Sequence, residues 1–184
     1  MPRHVVLLGL PGAGKTTAGA LAAERLGWQF IDLDAAIEGE AGMSVRDIFA
    51  REGEAGFRAR EARCTRALVG TGEGVGTVAA PMVRSVIAPG SGWVEDPDNL
   101  RALGPGTMSV YLRVSPLVAL DRMGASVASR PLIAGVQSAD QLQQLLHRRE
   151  SLYLQANHTV NVDSMTTSEV ADSIVALASM SSSD

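Results

Sequence analysis

Residues 9–16 read Gly-Leu-Pro-Gly-Ala-Gly-Lys-Thr, a complete G-x-x-x-x-G-K-[ST] loop, and no other feature restricts the fold of this chain as much. The loop follows the apolar run Val5-Val6-Leu7-Leu8. It leads into a segment with Ala18, Leu21, Ala22 and Leu26 on one helical side. Strand, glycine loop and helix are what phosphate binding needs: Gly9, Gly12 and Gly14 let the backbone turn tightly and aim N–H groups at phosphate oxygens, and the helix N-terminus adds partial positive charge. Lys15 is the only lysine in the chain, at a position suited to a compact cation that reaches the β and γ phosphates, and the Thr16 hydroxyl is placed to bind magnesium. The competing account is a chance glycine loop in a glycine-rich, arginine-biased sequence. The apolar run before the loop and the helical pattern after it speak against that account.

Downstream, short apolar runs alternate with helical patterns. Strands are expected near Val5–Leu8, Trp28–Ile31, Val83–Ala88, Ser109–Val114 and Thr159–Val162, giving an α/β chain with a parallel sheet between layers of helices. Ser44, Ser115-Pro116 and the pair Ser138 with Gln141 mark helix starts, and Gly53 closes the segment carrying Ile48 and Phe49. At 184 residues the chain suits one domain over 1–178, with a lid at about 122–135, a glycine-rich loop at 70–76 and a flexible tail at 179–184. A single cysteine, Cys64, allows neither an internal disulfide nor a cysteine-based zinc site and fits the cytoplasm. No apolar run is long enough to span a membrane, and a net charge of −4 without a dense basic block argues against nucleic acid as the main partner.

Two carboxylates, Asp32 and Asp34, stand at the expected carboxyl end of the second strand, where open α/β sheets bind ligands. On a strand they would point the same way, one serving magnesium and the other orienting or deprotonating an acceptor hydroxyl. The alternative is that Asp34 caps a helix beginning at Ala35. Phe57, Glu61, Cys64 and Leu68 form an apolar stripe that contains Glu61, with Arg58 one turn earlier to pair with it. In the helix from Ser138 the expected buried face is Leu142, Leu145, Leu146, Leu152, Tyr153 and Ala156. Arg149 falls within it while His147 and Arg148 do not. A core-facing arginine needs an anion, either a bound carboxylate or a structural ion-pair partner. The segment Arg122 to Ile133 is rich in small residues and contains Arg130-Pro131, which reads as a lid that brings an arginine to the transferring phosphoryl group; an exposed linker is the other reading.

Together these residues resemble the shikimate kinases, small P-loop kinases of the nucleoside-monophosphate-kinase-like fold. The likeness runs through the phosphate loop, Asp32-Leu-Asp34, Ile37-Glu38, Gly42-Met-Ser44, Asp47-Ile48-Phe49, Gly53-Glu54, Phe57-Arg58, Glu61, Arg130-Pro131-Leu132 and residues 149–153. The resemblance implies a three-layer αβα fold with a five-stranded parallel sheet and a mobile lid. It also implies transfer of the ATP γ-phosphoryl group to the 3-hydroxyl of shikimate, with ATP and Mg²⁺ as cofactors and a monomeric state. Gly12, Ala13, Gly14, Lys15, Thr16, Thr17, Arg122 and Arg130 would hold the nucleotide, with Arg122 on adenine and Arg130 on the phosphates. Thr16 and Asp32 would hold the metal. Asp34 would hold the acceptor hydroxyl, and Arg58 and Arg149 its carboxylate, with Glu61 positioning Arg58. Lys15, Asp34 and Arg130 would be the catalytic set. One departure lies in the substrate motif, where the family's Gly-Gly-Gly is matched by Gly90-Ser91-Gly92 and followed by the bulky or acidic Trp93, Glu95 and Asp96. It keeps open a paralogue acting on another hydroxylated ring or carboxylate metabolite. A non-catalytic nucleotide-binding protein is the remaining alternative.

Overall fold

The computed structural model describes residues 1–69, 83–124 and 138–180. Five parallel strands form one sheet in the order β2-β3-β1-β4-β5: β1 His4–Leu8, β2 Gln29–Asp32, β3 Ser85–Ala88, β4 Thr107–Arg113 and β5 His158–Asn161. The three central strands are buried over nearly all their length because helices cover both faces; β1 and β3 read as nearly continuous apolar runs, whereas β4 carries the buried polar Ser109. The edge strands β2 and β5 are only half-buried. All five expected strands are present, with ends displaced by one or two residues.

The chain builds β1, β2 and β3 to one side and then crosses back to place β4 and β5 on the other, so the order reverses beside the carboxyl end of β1. That switch point leaves a crevice above the strand ends, and the phosphate loop opens into it. Helix α1 (Lys15–Leu26) lies close to the sheet because its buried face is small: Ala18, Gly19, Ala22 and Ala23. A Cβ at Gly19 would stand 2.8 Å from Leu7 Cδ1 and 3.0 Å from the Phe30 ring. This close approach offsets the helix-interior cost of a glycine. Helix α7 (Thr167–Met180) flanks α1, where Arg25 donates to Asp172 at 2.5 Å and to the Ser168 carbonyl at 2.9 Å.

The helix punctuation follows the sequence where local chemistry decides it. The helical stretch α3 (Val45–Val69) begins after Ser44, whose hydroxyl accepts from the Asp47 N–H at 3.1 Å, and is broken at Gly53, where φ is 67°. Ser115 precedes α5 (Pro116–Met123), and Ser138 with Gln141 forms a complete capping box on α6 (Ala139–Tyr153). The carboxylate pair Asp32 and Asp34 departs from expectation. Strand β2 ends at Asp32, and α2 (Leu33–Ala41) starts at once, so Asp34 lies in the first helical turn and not on the strand. The cap is Asp32, whose Oδ1 accepts from the N–H groups of Asp34 and Ala35 at 3.1 and 3.3 Å. The expected loop at 70–76 and most of the lid, including Arg130, lie outside the described residues.

Candidate active site

A cleft of about 830 Å³ lies over the carboxyl ends of β1, β2 and β3, lined by the phosphate loop, α2, α3, the turn after β3, α6 and the start of α7. Its nucleotide end is built by backbone conformation. Gly9, Gly12 and Gly14 have φ values of 144°, 80° and 88°, a region that side chains oppose. At Gly12 any Cβ would collide with the Ala119 carbonyl, so the loop can pass α5 only as glycine. Gly14 caps α1 without a side-chain acceptor, leaving the first N–H groups of that helix directed at the cleft. Lys15 Nζ donates to the Gly9 and Leu10 carbonyls at 2.8 and 3.1 Å, which holds the ammonium across the loop's mouth. Ala13, Thr16 and Thr17 complete this wall.

Asp32 joins two parts of the site. One oxygen caps α2 and the other accepts from the Thr16 hydroxyl at 3.2 Å. A hydroxyl and a carboxylate side by side are hard oxygen donors and few in number. Such a set fits Mg²⁺, which keeps waters and phosphate oxygens in most of its positions. Arg122 crosses from α5 to the loop after β5, donating to the Val162 and Met165 carbonyls at 2.6 and 3.0 Å, and so brings Met165 and Thr166 to the cleft wall.

At the other end, Asp34, Arg58, Arg149 and the turn Gly90-Ser91-Gly92 converge. Glu61 is fully buried on α3 and ion-paired with Arg58, while Glu54, one turn before Arg58, bonds the same guanidinium at 3.3 Å. Beyond the break at Gly53 the buried face of α3 is Phe57, Glu61, Ala62, Thr65 and Val69, so Cys64 and Leu68, expected on that stripe, sit half-buried at its margin. Two glycines set the turn against these charges. A Cβ at Gly90 would stand 3.3 Å from Glu61 Oε1 and 3.4 Å from Asp34 Oδ1, and one at Gly92 would stand 2.5 Å from Arg58 Nη2. Helix α6 buries Leu142, Leu146, Arg149 and Tyr153, while Leu145, Leu152 and Ala156, also expected on that face, are only half-buried and Ala156 lies beyond the helix end. Tyr153 donates to the Ser91 carbonyl at 2.7 Å, and Arg149 reaches the Ser91 hydroxyl at 3.4 Å and Glu95 at 3.0 Å.

Trp93 takes no part in the cleft. It is fully buried, with its indole N–H donating to Thr65 at 2.8 Å, and the backbone carbonyl of Trp93 accepts from Asn99. Its bulk is therefore core packing beneath the Gly90-Ser91-Gly92 turn, and Asp96 is the N-cap of α4 (Pro97–Arg101). Ser91 does face the cleft. The pairing of Glu95 with Arg149 was not legible in the sequence, because 54 residues separate the two and no periodicity links them.

Burial pushes the Glu61 carboxyl up to about 7; the Arg58 charge pulls it down and the nearby Asp34 charge adds to the push. Burial also works against the Arg58 charge, but the Glu61 carboxylate beside it holds the guanidinium firmly protonated. Because the folded state holds the Glu61 proton more tightly than the unfolded chain, its contribution to stability is full below about pH 4.5 and is lost as pH rises through about 7. The loss is on the order of 3 kcal/mol. Denaturant unfolding of the wild type between about pH 5 and pH 8 is expected to show this decline, and Glu61→Gln is expected to remove it. Parallel pH profiles for the two proteins would mean that Glu61 titrates normally.

The comparisons with known proteins agree with one another. A family model described as shikimate kinase matches residues 11–179. The shikimate kinase of Moorella thermoacetica is 40% identical over 174 residues, covering 95% of this chain and 93% of that protein. That of Synechococcus sp. (strain CC9605) is 37% identical over 95% of this chain and 82% of its own length. Among solved structures, a shikimate kinase from Acinetobacter baumannii in complex with shikimate superposes with a TM-score of 0.84 at 30% identity, covering 100% of this chain and 96% of that one.

Proposed function

The chain belongs to the shikimate kinase family, and on that premise we propose how its residues divide the work of transferring the ATP γ-phosphoryl group to the 3-hydroxyl of shikimate. The observation that carries the reading is the convergence, in one cleft, of a phosphate loop, a carboxylate and two arginines: Asp34, Arg58 and Arg149.

The N–H groups of residues 12–17 hold the phosphates, and Lys15 exchanges the Gly9 and Leu10 carbonyls for β and γ oxygens. Thr16 and Asp32 would hold magnesium, which would supply positive charge against the charge that develops on the phosphates during transfer. Arg58 and Arg149 fix the shikimate carboxylate, Glu61 keeps Arg58 in position, and the Gly90-Ser91-Gly92 turn supports the ring. This orientation presents the 3-hydroxyl to Asp34. As its oxygen bonds to the γ-phosphorus, Asp34 takes the hydroxyl proton, and the bond to the bridging oxygen breaks to release ADP. Arg122 supports the adenine side, and Arg130 reaches the phosphates as the lid closes and excludes water. A cytoplasmic location, where ATP is abundant and Cys64 stays a free thiol, suits this chemistry.

The test is ADP release by the purified protein with Mg-ATP, with and without shikimate. Shikimate-dependent release is the expected result. ATP binding without shikimate-dependent release would overturn the acceptor and favour another hydroxylated ring, the reading that Ser91 in the cleft wall would then support.

A further inference from the structure

We propose that Glu95 is a specificity-determining residue: an internal carboxylate that occupies Arg149 and that a carboxylate-bearing acceptor must displace. The inference rests on the reading of Arg149 as a carboxylate receptor. Arg149 is nearly buried, its side chain 11% exposed, and its charge requires an anion. Glu95 supplies one, its Oε2 accepting from Arg149 Nη2 at 3.0 Å. The same oxygen would lie 3.2 Å from a Cβ on Gly92, the spot against which Arg58 Nη2 also lies. Glu95 thus sits at the edge of the space between the two guanidiniums, the space in which a bound acid would be recognised.

The base from which Glu95 projects is rigid. Residues 93–95 form a short 3-10 turn, in which the Trp93 N–H donates to the Gly90 carbonyl at 3.1 Å and the Glu95 N–H to the Gly92 carbonyl at 3.0 Å. Trp93 and Asn99 anchor that turn in the core. The Glu95 side chain itself is 37% exposed, so its carboxylate can swing into water at small cost while its backbone stays fixed. Arg149 has no such freedom on the buried face of α6. Acceptor binding is therefore an exchange of carboxylates on Arg149 Nη2, with Nη1 remaining beside the Ser91 hydroxyl. An acid pays for breaking the Glu95 pair and for the like charge left nearby. An uncharged ring of the same shape breaks no pair and meets no like charge. Glu95 consequently narrows the advantage that the two arginines give to acids.

Glu95→Gln keeps the length of the side chain and removes its charge. Calorimetry on the wild type and the variant, with shikimate and with its uncharged carboxamide, reads the proposal without turnover. The expected result is a Kd for shikimate about tenfold lower in the variant, as for removal of a competing charge, and a carboxamide Kd that moves by less than about twofold. In steady-state assays the gain falls in KM for shikimate. An unchanged or weaker shikimate affinity, or equal changes for both ligands, would overturn the role of Glu95. If neither protein binds shikimate or releases ADP in response to it, the acceptor reading fails and takes this proposal with it. That outcome is distinct because affinity is then absent, not merely unaltered.

Discussion

Asp34→Asn is expected to lower shikimate-dependent ADP release by roughly 10²–10⁴-fold, the scale of a lost general base, while ATP affinity stays close to that of the wild type. The separation of effects follows from where the two carboxylates stand. Asp32 caps α2 and bonds Thr16, so the phosphate-loop end of the cleft rests on Asp32 and not on its neighbour. Asp34 enters the cleft from the first turn of α2, close to Gly90 and Glu61, where an acceptor hydroxyl would meet it. Asparagine preserves the shape and the backbone hydrogen bond to Asp32 but cannot take a proton. The variant also removes one of the charges that raise Glu61, so the Glu61 carboxyl is expected to titrate lower than in the wild type. Steady-state kinetics and ATP calorimetry on the same preparation check both parts. Turnover near the wild-type rate would remove Asp34 from the mechanism.

Arg149→Ala is expected to weaken shikimate binding by about 2–5 kcal/mol, the range for truncating one partner of a buried, hydrogen-bonded charge pair. The effect is large because the guanidinium is held on the buried face of α6, one turn before Tyr153, and both residues contact Ser91. Glu95, left without its partner, can turn to solvent, so the variant does not strand a buried charge. Arg149→Lys is expected to recover only part of the loss, because a single ammonium cannot stay beside the Ser91 hydroxyl with one nitrogen and meet the acceptor carboxylate with another, as the two Nη atoms do. Titration calorimetry with shikimate measures the change, and thermal unfolding shows whether α6 still packs. A folded Arg149→Ala protein with unchanged shikimate affinity would leave Arg149 as the structural partner of Glu95 alone.

Much of the architecture was written in local patterns. The buried central strands could be located because a parallel sheet covered on both faces demands uninterrupted apolar residues. The capping box at Ser138 and the break at Gly53 are decided within four residues of sequence, which is why they were found in place. Arg149 stood out because a charge in the middle of an apolar helical face is costly. The pairing of Arg58 with Glu61 follows from one helical turn.

The readings that changed depended on where one element gives way to the next, or on what meets across the fold. Asp32 and Asp34 were two residues apart in either case, but strand geometry would align them and helix geometry separates them, so the abrupt start of α2 assigns one to the cap and the other to the cleft. Trp93 stood out in the sequence as bulky for a place beside the Gly90-Ser91-Gly92 turn, and the core beneath that turn, where Thr65 accepts from the indole N–H, accounts for it. The engagement of Arg149 by Glu95 belongs to the same class. By itself the sequence determined the nucleotide loop, the helix caps and the residues that could not be buried without a partner, because each is settled by neighbours along the chain. Only the tertiary structure decided which partner each charge took and which side chains line the cleft, because those contacts join residues that just the folding of α3, α6 and the turn after β3 onto one sheet brings together.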